Sequence, residues 1–501
     1  MNYVQGRFRG ARRGAVTGGG DPAVFFSRDG PSRGSVLERS EGCSMPNMRH
    51  LSRLWITFEG PVDRRAYVAS GALLFVVKYA LDLVLTYAAH GSFWPPWTYF
   101  LPVFDWRRQA LGDAAAWLSP TLLAVSLPFM WIGMSMSVRR AVNAGRSPWI
   151  GLTFLIPVVH LVAIPYLALA AERHETSVAP MVRSTDSFRR RFVAACAGIG
   201  IGVAIALVMV GVCALIFESY DNSLFFLSPV FMGVSSGYWY NRVAVRPAHE
   251  TVAVGALVVV VATLALLMIA AEGVFCLAMA APIAFVLVLF GALIGRAIAG
   301  MGATPIGGTL ILLLLPFLSG FEAHTKPPST VFEVRSHVDV AAPADVVWRS
   351  VISFSDIKEP PEWFFRHGIS YPIRARIEGE GVGAVRYCEF STGPFVEPVT
   401  HWEPGKRLAF GVTSQPPPME EWTPYRGVHP PHLDGYLESQ RGEFRLVPLV
   451  GGGTRLEGST WYVVRMSPEG YWRLWSDFFI GRIHARVLRH IKREAEAGMA
   501  G

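Results

Sequence analysis

The feature that most limits what this chain can fold into is a succession of long apolar runs that fills its first two thirds and stops near Phe321. A helix crossing a bilayer needs about 20 mostly apolar residues, because lipid offers the backbone no partners and each N–H and C=O must be satisfied within the segment. Eight segments meet or approach that length: 66–87, 120–138, 148–170, 192–217, 223–240, 251–271, 274–295 and 305–321. The fifth and eighth are the shortest. A hydrophobic content of 51% over 501 residues agrees with a multi-helix membrane domain followed by something soluble.

Charge gives the expected orientation. Arg49, Arg53, Arg64 and Arg65 precede the first span, and Arg139, Arg140 and Arg146 follow the second, so both flanks belong in the cytoplasm by the positive-inside bias. Strict alternation then puts Arg189, Arg190 and Arg191 outside, against the same bias. Either eight spans hold and the C-terminal part is cytoplasmic, or 148–170, which contains Pro157, His160 and Pro165, is re-entrant. In that case seven spans carry the C-terminal part across the membrane. Eight spans are the expectation carried forward. Between the first two spans, "GSFWPPWTYFLPVFDW" suits the headgroup layer.

Net charge is +8, yet only five of the 46 basic residues are lysine and no basic stripe with interleaved aromatics appears, which argues against nucleic acid. The five cysteines form no CxxC and no paired framework. Residues 1–44 carry seven arginines and no apolar core, so they read as a disordered arm, or as an upstream extension before Met45 or Met48. Lys78 and Asp82 lie four apart inside the first span and share a helix face. They are expected to neutralise each other, an ion path being the alternative.

Two stretches resemble the inner-membrane family called domain of unknown function 805: "FEGPVDRRAY" (58–67) and "SVRRAVNAGRSPWIGLTFLIP" (137–157), within about 54–172. Pro61 and Asn143 depart from the family pattern. The resemblance implies a bacterial inner-membrane location and no chemistry.

From Val331 the apolar period changes from 3.6 to 2. A strand at "VFEVRSHVDV", a helix at "APADVVWRSVISF" and a short aromatic helix at "PEWFF" come first. Six strand-like runs between 371 and 464 follow, separated by "GEGVG", "STGP", "EPGK" and "VGGG", and then one long amphipathic helix. Lys326-Pro327-Pro328 marks the linker, within 323–330. Consecutive antiparallel strands curl, and a long helix closes their concave face. The expected class is thus a transmembrane helical domain followed by an α+β helix-grip domain over 331–498. "VDVAAPADVVWRSV", the "GEGVGAVRYCEFSTG" hairpin, "HWEPGKRL", "GGTRLEGSTWY" and the terminal helix make 331–496 similar to the START-like superfamily, also called SRPBCC, of polyketide cyclases and lipid carriers. That fold hosts enzymes and binders alike.

The resemblance implies a ligand cavity, and the residues expected to serve it are Trp363, Arg386, Glu397, Trp402, His429, His432, Trp461 and Tyr462. Arg386 and Glu397 are chosen as polar anchors; cross-strand ion pairing is the plainer reading of the strand charges. His429 and His432 sit in "GVHPPHLDGY", where Pro430 and Pro431 exclude a regular helix. The proline-rich piece 415–435 is expected to be a lid over the cavity mouth rather than a metal site, and no cofactor is expected. The function these readings support is binding of a hydrophobic small molecule or membrane lipid by a tethered START-like domain. The alternatives are a cyclase- or aromatase-type enzyme, or a membrane sensor or scaffold.

Overall fold

The computed structural model describes residues 53–500 except 92, 94, 101–116, 157–158, 174–186, 326–328 and 426–427. The arm 1–44 and the Lys326-Pro327-Pro328 linker therefore lie outside the described residues. Helix α1 (Arg64–His90) begins where the Asp63 carboxylate accepts from the Ala66 N–H at 2.6 Å and ends on left-handed Gly91. It is followed by α2 (Leu118–Asn143), a 3₁₀ turn (Pro148–Leu155) and α3 (Val159–Leu169). Helix α4 (Phe188–Val210) continues as a π-helical turn (Gly211–Ile216). A second such turn (Ser223–Leu227) leads into α5 (Ser228–Asn241), and then come α6 (Ala248–Met268), α7 (Val274–Gly300), α8 (Pro305–Leu312) and α9 (Leu314–His324).

Six of these stretches are long and apolar enough to cross a membrane: Arg64–Ala89, Thr121–Asn143, Phe188–Ile216, Ala248–Met268, Val274–Gly300 and Pro305–His324. The shorter 223–241 segment is buried along almost its whole length by its neighbours and also runs from one end of the bundle to the other. Its start is held by Glu322, which accepts from the Ser223 N–H at 2.9 Å, and near its end the Tyr238 hydroxyl donates to the Ala303 carbonyl at 2.6 Å.

Segment 148–170, expected to span, instead leaves and returns at one end. Its start is held where the Trp149 indole donates to the Thr304 carbonyl at 2.6 Å, and its end where Arg140 donates to the Leu167 carbonyl at 3.0 Å and also to that of Ala170. The break after Leu155 and these two ties make it a re-entrant hairpin, leaving seven crossings among the described residues. The paired arginines of the motif are its ties: beside Arg140, Arg139 donates to the Leu54, Thr57 and Gly60 carbonyls at 2.7–3.1 Å. In the first crossing Lys78 pairs with Asp82, which also accepts from Tyr99.

Helices α5 and α7 approach backbone to backbone. A Cβ on Gly233 or Gly237 would lie 2.0 or 2.1 Å from the Val288 or Ala292 carbonyl oxygen, and one on Gly291 or Gly295 would lie 2.1 or 2.0 Å from that of Val230 or Val234. Each helix thus presents glycines four apart to the other, the small-residue packing that substitutes for a hydrophobic driving force in lipid.

The C-terminal domain follows the expected order. Strand β1 (Val331–Val340), α10 (Ala344–Ile352) and α11 (Trp363–Arg366) precede β2 (Pro372–Glu378), β3 (Val385–Phe390), β4 (Gly393–Glu403), β5 (Arg407–Gly411), β6 (Leu437–Pro448) and β7 (Thr454–Val464). The seven strands form one antiparallel sheet in the order β1-β7-β6-β5-β4-β3-β2. Helix α12 (Glu469–Ala500) lies across it, burying Ile480, Val487, Leu488 and Ile491. The sheet and its closing helix make a helix grip.

Candidate functional site

The long connection between β5 and β6 is fastened to the membrane helices rather than hanging free. The Val274 N–H at the start of α7 donates to the Trp422 carbonyl at 3.0 Å, and the Tyr425 hydroxyl donates to the Met268 carbonyl at 2.7 Å. Nearby, the Tyr436 hydroxyl donates to the Glu218 carbonyl at 2.5 Å, the Ser467 N–H donates to the Tyr220 carbonyl at 2.8 Å, and the Tyr471 hydroxyl donates to the Met279 carbonyl. The helix grip therefore sits on the α4–α5 and α6–α7 turns, at the end of the bundle opposite Arg139 and Arg140.

Between the two halves is a cavity of about 250 Å³. Ala206, Met232, Leu266 and Ala280 of the membrane helices form one wall; Phe395, Pro418, Trp472, Trp475 and Phe479 of the helix grip form the other. The lining is overwhelmingly apolar, with a polar corner at Tyr220, Glu272 and His432. This is the composition of a site for an apolar molecule with one oriented polar end.

Four side chains converge at that corner: Glu272 and Cys276 from the start of α7, and Glu421 and His432 from the β5–β6 connection, with one potential donor atom from each lying within 4.8 Å of the others. Cys276 Sγ is 2.8 Å from His432 Nε2, Glu421 Oε1 is 3.8 Å from the same nitrogen, and Glu272 Oε2 is 3.4 Å from Nδ1. The Tyr220 hydroxyl donates to Glu272 Oε1 at 3.2 Å. Glu272 Oε2, both Glu421 carboxylate oxygens and His432 Nδ1 are buried without a well-formed hydrogen bond, the Cys276 thiol and N–H being the donors beside Glu421. Burial, with the Glu421 charge adding to it, pushes the Glu272 carboxyl up to about 8. Burial also raises the Glu421 carboxyl and pulls the His432 imidazole down to about 4. Gly273 is required here, since a Cβ on it would lie 1.8 Å from Glu421 Oε2.

The residues anticipated from the sequence are dispersed. His432 lines the large cavity, whereas His429 is half-exposed and pairs with Asp434 at 2.8 Å. Arg386 and Glu397 are buried together as an ion pair and line a smaller cavity of about 120 Å³ between the sheet and α12, beside His484. Trp402 packs edge-on against Trp348 at 5.5 Å, Trp461 lies under Arg441 at 4.0 Å, and buried Tyr462 donates to Asp477. Trp363 is 63% exposed and stacks on Phe275 at 6.3 Å. None of these four lines either cavity. Tyr220, Glu272, Cys276 and Glu421 carried no signal in the sequence: two are isolated in loops, one lies in an apolar run, and one reads as a surface charge.

Residues 55–180, about a quarter of the chain, match the family model described as "Protein of unknown function (DUF805)". No curated protein matches the chain. Similar solved structures include the Zhui aromatase/cyclase from Streptomyces sp. R1128, 19% identical, covering 34% of this chain and 96% of that one with a TM-score of 0.24. Another is a norcoclaurine synthase point mutant from Thalictrum flavum, 15% identical, covering 35% and 99% with a TM-score of 0.24. The sheet order and the closing helix carry the fold assignment: this is a multi-helix membrane protein with a DUF805-matched N-terminal region and a helix-grip C-terminal domain.

Proposed function

We propose that the protein takes a hydrophobic small molecule or lipid from the bilayer into the cavity shared by its membrane helices and its helix grip. The observation that carries this reading is the two-sided lining: the same cavity touches α4 to α7 and the inner face of the grip. A ligand leaving the bilayer there meets its receptor at high effective concentration. Full-length protein purified in detergent is expected to carry a lipid or apolar metabolite in about stoichiometric amount by mass spectrometry of its organic extract. Ala280→Trp, which projects an indole into the cavity from α7, is expected to reduce it at least about fivefold, since the cavity of about 250 Å³ is already at the small end for a ligand site and has little room to share. Equal extracts from both proteins, matching those of an unrelated membrane protein, would refute the reading.

A second reading, an enzyme acting on such a molecule, is favoured by the histidine and carboxylate at the polar corner, the residue types used for general acid–base work. The two readings part on His432→Ala: a binder keeps the same bound species, whereas an enzyme accumulates a chemically different one.

Charge supports an orientation opposite to the cytoplasmic C-terminal domain expected from eight crossings. Arg64, Arg139, Arg140, Arg146, Arg191, Arg242, Arg246 and Arg296 gather at the end of the bundle away from the helix grip, where Arg191 pairs with Glu250 at 3.0 Å and Arg296 donates to the Arg246 carbonyl at 2.8 Å. The turns beneath the grip, 217–222 and 269–273, hold no lysine or arginine; Arg107 and Arg108, in the stretch outside the described residues, fall between α1 and α2. In a bacterial inner membrane the positive-inside bias thus favours an extracytoplasmic grip. Alkaline phosphatase joined after Gly501 is expected to be active and a green fluorescent protein fusion dark; the reverse pattern would sink this orientation.

A further inference from the structure

The polar corner buries donor atoms whose bonding capacity the protein's own groups leave largely unmet. Two carboxylates and a thiol face one imidazole, and no lysine or arginine among the described residues pairs with either carboxylate. The Glu421 side chain is wholly buried, and the donors beside its oxygens are the thiol and backbone N–H of Cys276, neither in good hydrogen-bond geometry. Buried carboxylates in such a position are ordinarily paired or coordinate a metal. Moreover, the four groups arrive from two separate parts of the chain, 145 or more residues apart, so the turn of one helix and the packing of a long loop must both be right for them to meet.

We infer that this corner is a binding site for a divalent transition-metal ion of the zinc class, held by Cys276 Sγ, His432 Nε2 and the Glu421 carboxylate, with Glu272 orienting the histidine through Nδ1. The donor set selects the ion: thiolate and imidazole favour zinc and its neighbours, whereas magnesium and calcium take oxygen alone. Metal bonds of about 2.0–2.3 Å put adjacent donors of a tetrahedron about 3.3–3.8 Å apart. Glu421 and His432, at 3.8 Å, need close by only a few tenths of an ångström to reach the roughly 3.3–3.5 Å of an oxygen–nitrogen pair, and Cys276 and His432, at 2.8 Å, need only part by less than an ångström around the ion. Glu272 stands where a metal-bound histidine usually has its carboxylate partner, and Tyr220 holds Glu272 in turn. One cation offsets the negative charge of the thiolate and the Glu421 carboxylate, and the protons they release leave with binding.

Two consequences follow from the geometry. The ligands divide between α7 and the β5–β6 connection, so the ion fastens the helix grip to the membrane helices. Three protein ligands leave a fourth position for water or the polar end of a molecule in the cavity, whose lining includes Cys276, Glu272 and His432. The site stands independently of what the cavity holds.

The test uses the full chain in detergent, purified without a polyhistidine tag, loaded with zinc, freed of excess by gel filtration and assayed by plasma mass spectrometry. About one zinc per chain is expected for the wild type and for His429→Ala, and less than a tenth of that for Cys276→Ser and His432→Ala. Glu272→Gln is expected to keep the stoichiometry at saturating zinc but weaken affinity about 10- to 100-fold. Cobalt loading is expected to give a thiolate-to-metal charge-transfer band that Cys276→Ser, a one-atom change, removes. Should the histidine variant fail to fold, the cobalt spectra of the wild type and Cys276→Ser decide. Zinc below a tenth of an equivalent in the wild type, zinc unchanged in both ligand variants, or a cobalt spectrum without a sulfur band would each overturn the site.

Discussion

Glu397→Ala is expected to lower the stability of the helix-grip domain by about 3–5 kcal/mol, because removing one partner of a buried ion pair strands the other charge. Arg386 and Glu397 sit directly opposite each other on β3 and β4, both almost wholly buried, and the guanidinium donates to the carboxylate. Burial holds the Glu397 carboxyl above its ordinary range even with Arg386 beside it. The guanidinium cannot lose its proton to escape, and it is ringed by Phe410, Phe444 and Phe354 at 5.0, 5.6 and 5.8 Å. Replacing both partners, Arg386→Met with Glu397→Leu, is expected to cost less than about 1–2 kcal/mol, since it removes two desolvated charges at once. Urea unfolding of the full chain in detergent, followed by tryptophan fluorescence, measures the three values. If Glu397→Ala proves nearly silent, water reaches the pair through the smaller cavity, and an anchoring role for a ligand's polar group gains ground.

What the sequence revealed follows from how local each signal is. The period-2 runs between 331 and 464 gave every strand, and short turns such as "STGP" paired consecutive strands, so the sheet order was nearly determined once β1 was known to lie apart. The pairing of Arg386 with Glu397 is a product of that hairpin register. Segment 148–170 was harder, because a re-entrant hairpin is as apolar as a span; what keeps it from crossing is the hold of Arg140 on its returning limb and of Thr304 on Trp149 at its start, visible only in three dimensions. The aromatic residues were misleading for a related reason. Trp402 and Trp461 sit on strands, where one step in register decides between cavity and exterior, and composition says nothing about that step. The polar corner was legible only through His432: Glu272 and Cys276 belong to another part of the chain, and no spacing rule links residue 276 to residue 432. The two prolines beside His432 excluded a helix, as expected, and the 3₁₀ turn Pro431–Leu433 aims the ring inward, away from His429.

Gly291→Leu and Gly233→Leu are each expected to destabilise the protein by about 3 kcal/mol or more, at or beyond the upper end of ordinary overpacking, because the clash is with backbone that no rotamer can move. The first Cβ alone would sit 2.1 Å from the Val230 carbonyl oxygen, or 2.0 Å from that of Val288. Gly200→Ala is the counterpart: nothing lies within 4 Å of its new Cβ, so helix propensity should make it neutral or stabilising by up to about 1 kcal/mol. Thermal unfolding in detergent, read as the loss of the monodisperse gel-filtration peak, separates the two classes. The loss should extend beyond the interface itself. Helix α7 carries Ala280 on the cavity wall and Cys276 one turn earlier, while α5 carries Met232 on the same wall. A leucine that drives α5 and α7 apart at their middle must therefore widen the cavity and pull Cys276 away from His432. Bound apolar molecule and zinc should then fall together in any leucine variant that still folds, whereas Ala280→Trp is expected to remove the molecule and leave the zinc in place.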